Sequence, residues 1–362
     1  MKKILLNRDF ILFSIILIIL IAVGFANPLF ITPKSISDVL TDTSILIILA
    51  LSQMIVILIR AIDLSVASNL ALSGMLISLL STVHPELPVY YFIALSCVIG
   101  TILGVLNGIS IAILKVPFIV TTLGTLSIYR GLIYFVSDGK QVYSNEFSED
   151  FLALIHFKFL SLSFLFWLAV VVFILIYVLL NHTRFGRNLY SLGGNPDAAK
   201  YIGVNENKYI IMAYSLSGFF AGLCGYLWVA RYSVASTQIA IGFELTVISA
   251  CVVGGISVMG GVGTVLGCVL GALLIGLIRN ALPAVDISQF WQLAISGGII
   301  LLAIIQGITE FLPISSSGHI VLFESLFGSM DSDITIEVIL HFGTLVSILY
   351  FFRDDIWILL KG

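Results

Sequence analysis

The chain has 362 residues, 59% of them apolar and only 10% charged, with a mean hydropathy of +1.14 and a formal net charge of −3. A water-facing globular domain carries about 25% charged residues, so this composition excludes an ordinary soluble enzyme. The small net charge gives no basis for nucleic-acid binding, and the informative property is where the charges sit.

Met1-Lys2-Lys3 ahead of an apolar run has the outline of a secretory signal, with Gly24-Phe25-Ala26 as a small-x-small pattern. The many apolar runs that follow make an uncleaved first helix the expectation. Stretches able to cross ~30 Å of hydrocarbon recur at 10–26, 45–59, 64–80, 90–114, 117–136, 159–180, 209–230, 245–256, 264–282 and 289–305. Those at 45–59 and 245–256 are short for full crossings and adjoin polar or glycine-rich breaks, which predicts broken or half-spanning helices. The predicted fold is an all-α polytopic membrane protein of about ten transmembrane helices with broken or re-entrant segments, plus a C-terminal helical membrane fragment. Cys97, Cys224, Cys251 and Cys268 fall inside apolar runs without Cys-x-x-Cys spacing, and read as packing residues rather than a disulfide or metal set.

Lys and Arg set the orientation. With the N-terminus (Lys2, Lys3, Arg8) in the cytoplasm, alternation places 181–208 inside and the acidic segment 137–157 outside. Nine basic residues then fall inside (with Arg60, Lys115, Arg184, Arg187, Lys200 and Lys208) against four outside (Lys34, Lys140, Lys158, Arg231).

Charge at mid-bilayer costs about 2.5–3.5 kcal/mol, so polar groups in these runs require a reason. In Arg60-Ala61-Ile62-Asp63-Leu64-Ser65-Val66-Ala67-Ser68, Asp63 is expected to pair with Arg60, while Ser65 and Ser68 satisfy backbone groups freed by a helix break. A discontinuous helix lining a polar solute path and a short cytoplasmic hairpin both fit. Asn107, Thr121, Thr122, Thr125 and Arg130 form a second set; Thr121 and Thr125 share a helical face, with Ser127 and Arg130 nearby. They suit a polyhydroxylated ligand, although a hydroxyl also bonds readily to its own helix.

The run from Gly254 to Thr264 is dense in glycine, lacks the Gly-Lys-Ser/Thr of a phosphate loop, and reads as a tight re-entrant turn with close helix packing. Glu244 precedes it as a pathway or capping carboxylate. In the longest inside loop, Pro196 to about Ile202 can form a short helix stopped by Gly203. That surface suits either a protein partner or a simple linker.

At these residues the chain resembles the ribose/rhamnose/autoinducer-2 family of bacterial ABC importer permeases over about residues 5–303. The likeness is carried by Ile62-Asp63-Leu64-Ser65-Val66, by the run from Leu114-Lys115-Val116-Pro117 to Gly124-Thr125, and by Arg184-Phe185-Gly186-Arg187. Gly194-Asn195-Pro196-Asp197-Ala198-Ala199, Cys251 to Thr264 and Phe290-Trp291-Gln292-Leu293 continue it. Ala67 departs from a usual glycine, and Leu114 to Gly131 looks nearest to autoinducer-2 or rhamnose permeases. The resemblance implies a plasma-membrane channel with a second permease subunit, cytoplasmic ATPases and a periplasmic sugar-binding protein. ATP is used by the partner; no Walker A motif and no cofactor are expected in this chain. Arg187, Ala198, Ala199, Lys200 and Gly203 would dock the ATPase. Asp63, Ser65, Ser68, Asn107, Thr121, Thr122, Thr125, Arg130 and Glu244 would line the path.

Near residue 303 the character changes. Ile305-Gln306-Gly307 through Glu310-Phe311-Leu312-Pro313 to Ser315-Ser316-Ser317-Gly318-His319, then Glu337 to Thr344 and Arg353-Asp354-Asp355, resembles the opening of the undecaprenyl-diphosphate phosphatase family. Gln306 and Glu310 share a helical face, and Pro313 ends that helix before a hydroxyl-rich turn. A carboxylate, hydroxyls and an imidazole suit diphosphate hydrolysis, and a capping turn also fits. The resemblance carries Glu310, Ser316, His319 and Gln306 into catalytic roles. It also calls for a later Pro-Gly-x-Ser-Arg-Ser motif, absent from residues 1–362, so the expectation is an inactive fragment at 304–362 behind a permease at 1–303. The alternatives are a functional lipid-diphosphate phosphatase and a non-functional gene fusion.

Overall fold

The structure, a computed structural model, describes residues 8–286 and, beyond them, 288, 291, 294, 297 and 298. By compactness the chain divides into units of residues 1–303 and 304–362. The predicted span at 289–305 and the residues Gln306, Glu310, Ser316 and His319 lie mostly or wholly outside the described residues.

The described residues are almost entirely helical. In chain order they form α1 (Arg8–Ala26), α2 (Pro33–Leu58), α3 (Val66–Val83), α4 (Val89–Ala112), α5 (Phe118–Ser137), α6 (Glu149–His156), α7 (Phe164–His182), α8 (Arg184–Gly194), α9 (Pro196–Tyr201), α10 (Glu206–Tyr232), α11 (Phe243–Val253) and α12 (Val265–Ala284). Eight of them are long and apolar enough to cross a membrane. With only 11 residues, α11 is the half-length helix expected at 245–256.

Two boundaries differ from expectation. The stretch 45–59 is not a short helix: α2 begins at Pro33 and runs 26 residues, capped by the Thr32 hydroxyl, which accepts from Ser35 N. Its first turns carry Ser35, Asp38, Thr41 and Asp42, whose polarity hides the start from a hydropathy reading. Residues 158–163 form a hairpin (β1, Lys158–Phe159; β2, Leu162–Ser163) with Leu160 and Ser161 at positive φ, so α7 begins at Phe164 rather than near 159.

The core centres on α2, buried along most of its length and packed against α7, α10, α11 and α12, while α10 in turn carries α3 and α4. Glycines set the approach of α4 to α10. A β-carbon on Gly100 would fall on the Gly218 carbonyl oxygen, one on Gly104 on the Tyr214 carbonyl oxygen, and one on Gly222 on the Ser96 carbonyl oxygen. The four-residue spacing of Gly100, Gly104 and Gly108, answered by Gly218 and Gly222, is the small-residue signature of close membrane-helix packing. Sequence reading overlooked it, although the spacing was there to find.

Candidate functional site

Between α2 and α3 the helix breaks, and the break is filled with polar groups. The Asp63 carboxylate accepts from Ser65 N at 2.9 Å and Ser65 Oγ at 2.6 Å through Oδ1, and from Ser217 Oγ at 3.3 Å through Oδ2. Asn107 on α4 donates to Ser65 Oγ at 2.8 Å. The Gln53 amide, oriented by its partners, brackets the Asp63 peptide: its oxygen accepts from Asp63 N at 3.0 Å and its nitrogen donates to Asp63 O at 3.3 Å. Thr122 and Tyr214 both donate to Ile62 O, at 3.4 and 3.3 Å. The Ser68 hydroxyl returns to Ser65 O at 2.8 Å, a carbonyl that already accepts from Asn69 N at 2.8 Å, so it adds a second bond rather than filling a group freed by the break.

Arg60 does not pair with Asp63. Its guanidinium turns away and donates to Gly193 O at 2.7 Å and Gly194 O at 2.8 Å. The physical reason is local: Asp63 is only 2% exposed and already holds three donors beside the N-terminus of α3, whose dipole favours an anion. Asp63, Ser65, Ser68, Asn107 and Thr122 therefore sit in a buried polar knot that ties α2, α3, α4, α5 and α10 together.

The hydroxyls and guanidinium of α5 divide between two faces. Thr121 is buried beside the knot side of the helix, and Thr125 donates to Thr121 O at 3.0 Å on its own helix. Arg130 points elsewhere, donating to Ile239 O at 2.5 Å and Ala240 O at 3.0 Å, so its donors are committed to backbone. Those carbonyls belong to the irregular segment 233–242 between α10 and α11. Arg130 is twelve residues into a 20-residue helix, so at ~1.5 Å per residue this segment reaches ~10 Å below the helix's far end. Glu244 stands in the first turn of α11, half-buried and within electrostatic reach of Arg130. Ser127 on α5 and Gln238 and Ile241 on the irregular segment are exposed in the single protomer.

The loop 181–208 holds two helices rather than one. α8 is capped by Thr183, whose hydroxyl accepts from Gly186 N at 3.3 Å. α9 starts at Pro196 behind the Asn195 cap, which accepts from Ala198 N at 3.0 Å, and Gly203 with φ +83° ends the turn that follows. Arg187, Ala198, Lys200 and Gly203 are exposed as a docking surface requires. Ala199 is not: it is fully buried against Leu192 and Val204, because a six-residue helix lying on the surface must turn one face down. Tyr201 and Ile202, which the sequence pattern does not single out, are 92% and 70% exposed, large side chains left facing outward. Beside them lies an open cavity of about 490 Å³ lined by Lys115, Lys200, Asn205 and Glu206. An apolar groove of about 550 Å³ near Cys97, Thr101 and Phe219 lies on another face and lacks the polar groups a sugar needs. Among the described residues no cluster of acidic, histidine or cysteine side chains is arranged to hold a metal.

Comparison with known proteins follows the same division of the chain. Residues 35–304 match the family model described as branched-chain amino acid transport system / permease component. Residues 299–362 match the model described as bacitracin resistance protein BacA. The galactose/methyl galactoside import permease protein MglC of Salmonella typhimurium is 35% identical over 311 residues, covering 81% of this chain and 92% of the relative. The ribose import permease protein RbsC of Haemophilus influenzae is 39% identical over 295 residues, covering 80% and 90%. The L-arabinose ABC transporter permease protein AraH of Azospirillum brasilense is 34% identical over 301 residues, covering 83% and 87%. No solved structure matches. With its apolar helices, its break at Asp63 and relatives covered over most of their length, the chain belongs to the transport-system permease family, in the company of sugar-importer permeases, and ends in a segment matching the BacA family.

Proposed function

We propose that this chain is the channel subunit of an ATP-driven monosaccharide importer, one of two permease subunits served by cytoplasmic ATPases and a periplasmic binding protein. The observation that carries the reading is the seam between α5 and the segment 233–242. Irregular backbone at membrane depth is tolerated only where protein covers it or water fills the space beside it. Here Gln238 and Ser127 stand exposed beside Arg130 and Glu244 in the single protomer. The Ser127 hydroxyl donates to Leu123 O at 3.2 Å, but a lipid-facing position would leave the exposed Gln238 amide in hydrocarbon, so a second subunit or an aqueous path must adjoin it. We assign Thr125, Ser127, Gln238 and Glu244 to the path, with Arg130 holding its wall in shape. The knot of Asp63, Ser65, Ser68, Asn107 and Thr122 we assign to the wall behind it, with Thr121 at its edge.

The same reading places the N-terminus in the cytoplasm. Arg8, Arg60, Lys115 and helices α8 and α9 gather at one end of the bundle: Arg8 reaches Val252 O and Val253 O, Arg60 reaches Gly193 O, and Lys115 Nζ donates to Asn207 at 2.7 Å. A positive end of this kind faces inward. There, Tyr201 and Ile202 supply apolar anchors for the ATPase, flanked by Arg187 and Lys200. The relatives' names point to ribose, galactose and arabinose as the sugars to try.

The test is uptake of labelled ribose, galactose and arabinose by proteoliposomes holding the chain with its ATPase and binding protein. A single cysteine at Ser127 or Gln238 should react with a water-soluble maleimide or cross-link to a second copy. Uptake of none of the three sugars, or a cysteine there that behaves as lipid-exposed, would overturn the reading.

The BacA-like segment is a family match over residues 299–362. We propose that residues 1–362 by themselves do not hydrolyse lipid diphosphate, because transition-state charge on phosphate needs cationic groups and the Pro-Gly-x-Ser-Arg-Ser motif expected to bring an arginine is not among them. Release of inorganic phosphate from a C55 lipid diphosphate by the purified chain would refute this.

A further inference from the structure

We infer that Arg60 is the positioning residue through which movement of α8 and α9 reaches the channel wall, an inference that rests on α9 being the ATPase dock. Three elements meet at the inner end of α2 almost backbone to backbone. The Arg60 fork, through Nε and Nη2, holds both final carbonyls of α8 at 2.7 and 2.8 Å, where the negative end of that helix favours a cation. A β-carbon on Gly193 would fall on the Leu58 carbonyl oxygen, and that carbonyl accepts from Gly261 N at 3.0 Å. Gly260 lies against the Arg60 side chain itself. Tyr190 on α8 adds a bond to Gly263 O at 2.9 Å.

Arg60 has φ +64°, a left-handed conformation that a residue with a β-carbon keeps only when its surroundings hold it. From Arg60 the chain runs directly into Asp63, whose peptide Gln53 brackets and whose carboxylate accepts from Ser65 N just ahead of α3. The link has no slack. When α8 shifts, the guanidinium carries Arg60 with it, and the segment 60–65 passes that displacement to α3 and the knot. A lysine would keep the charge but grip one carbonyl at a time, because its ammonium lacks the planar fork.

The experiment uses the full chain with its ATPase and binding protein in proteoliposomes, comparing Arg60→Ala, Arg60→Gln and Arg60→Lys. Co-purified ATPase, basal ATP hydrolysis, hydrolysis stimulated by sugar-loaded binding protein and ribose, galactose and arabinose uptake are all measured. R60A and R60Q should retain the ATPase and its basal hydrolysis while uptake per ATP hydrolysed falls about tenfold or more, with R60K intermediate. Uptake that is unchanged in R60A, or that falls only in proportion to the ATPase retained, overturns the inference. Where R60A does not accumulate, the same ratio in R60K decides. A Tyr201→Asp change that leaves ATPase co-purification intact refutes the docking surface instead, whatever the Arg60 ratio shows.

Discussion

Replacing Asp63 tests whether the polar knot holds the wall together. In Asp63→Ala the Ser65 N–H loses its acceptor at 2.9 Å, and the Ser65 and Ser217 hydroxyls lose theirs at 2.6 and 3.3 Å. A buried donor left unpaired costs ~1–3 kcal/mol. The two hydroxyls rotate toward other acceptors, so each costs ~0.6 kcal/mol, the mean for side-chain bonds between membrane helices. The sum is ~2–4 kcal/mol. Asp63→Asn keeps an oxygen for Ser65 and presents an amide to the Ser217 lone pairs, so its cost is ~1 kcal/mol. The chain carries its own reporter: Cys97 is 7% exposed, and Cys224, Cys251 and Cys268 are fully buried. A fluorogenic maleimide therefore reads unfolding in detergent. D63A should lower the midpoint by ~10 °C and D63N by only ~2–4 °C. A D63A midpoint within ~2 °C of the unaltered chain, or equal midpoints for the two variants, would refute the knot as a load on stability.

Four further outcomes follow from the geometry. Tyr201→Asp with Ile202→Asp should cut ATPase co-purification about tenfold with an unchanged maleimide midpoint, since both side chains are exposed. Ala199→Asp should instead lower the midpoint, because that position is buried. Gly104→Leu should force α4 from α10 at a cost of ~1–3 kcal/mol, read by the same maleimide scan. Arg130→Ala strands the Ile239 carbonyl, leaves Ala240 O with only the Phe243 N–H, and should abolish most uptake, whereas a variant transporting normally would show that the segment 233–242 holds its shape unaided.

The sequence disclosed what depends on local pattern. Apolar runs located the crossings, Pro196 and Gly203 bounded α9, and the glycines from Gly254 to Gly263 marked the turn, four of which, Gly255, Gly260, Gly261 and Gly263, take positive φ. Polar residues in the first turns of α2 misled the hydropathy reading, because their partners come from elsewhere: Asp42 pairs with Arg231 at 2.8 Å and Thr41 with Ser163 at 2.8 Å. The Arg60–Asp63 pairing failed for the same reason. Spacing brings two charges within reach, but a bidentate site on the α8 carbonyls exists only once α8 has packed. Direction along α5 was likewise hidden: the sequence pattern groups Arg130 with Thr121 and Thr125, but the guanidinium meets Ile239 O and Ala240 O while Thr125 bonds to its own helix.

What the structure adds is a physical separation of two kinds of polar group in one apolar bundle. Those of the knot bond to one another and to backbone, which is the condition for keeping a carboxylate in a low-dielectric wall. Those of the seam stand beside an irregular segment whose Ile239 and Ala240 carbonyls accept from Arg130, leaving the Gln238 amide outward and the Ser127 oxygen exposed as an acceptor while its proton goes to Leu123 O. A solute must exchange its water for hydrogen bonds that it can also leave, so groups locked into the wall serve it poorly and groups left free serve it well. On that argument Asp63 shapes the channel without touching what passes. Sugar preference should therefore respond to changes at Ser127, Gln238 or Glu244, whereas D63N should scale uptake of ribose, galactose and arabinose by one common factor. A D63N variant that changes the ratio among the three sugars would place Asp63 in the path after all.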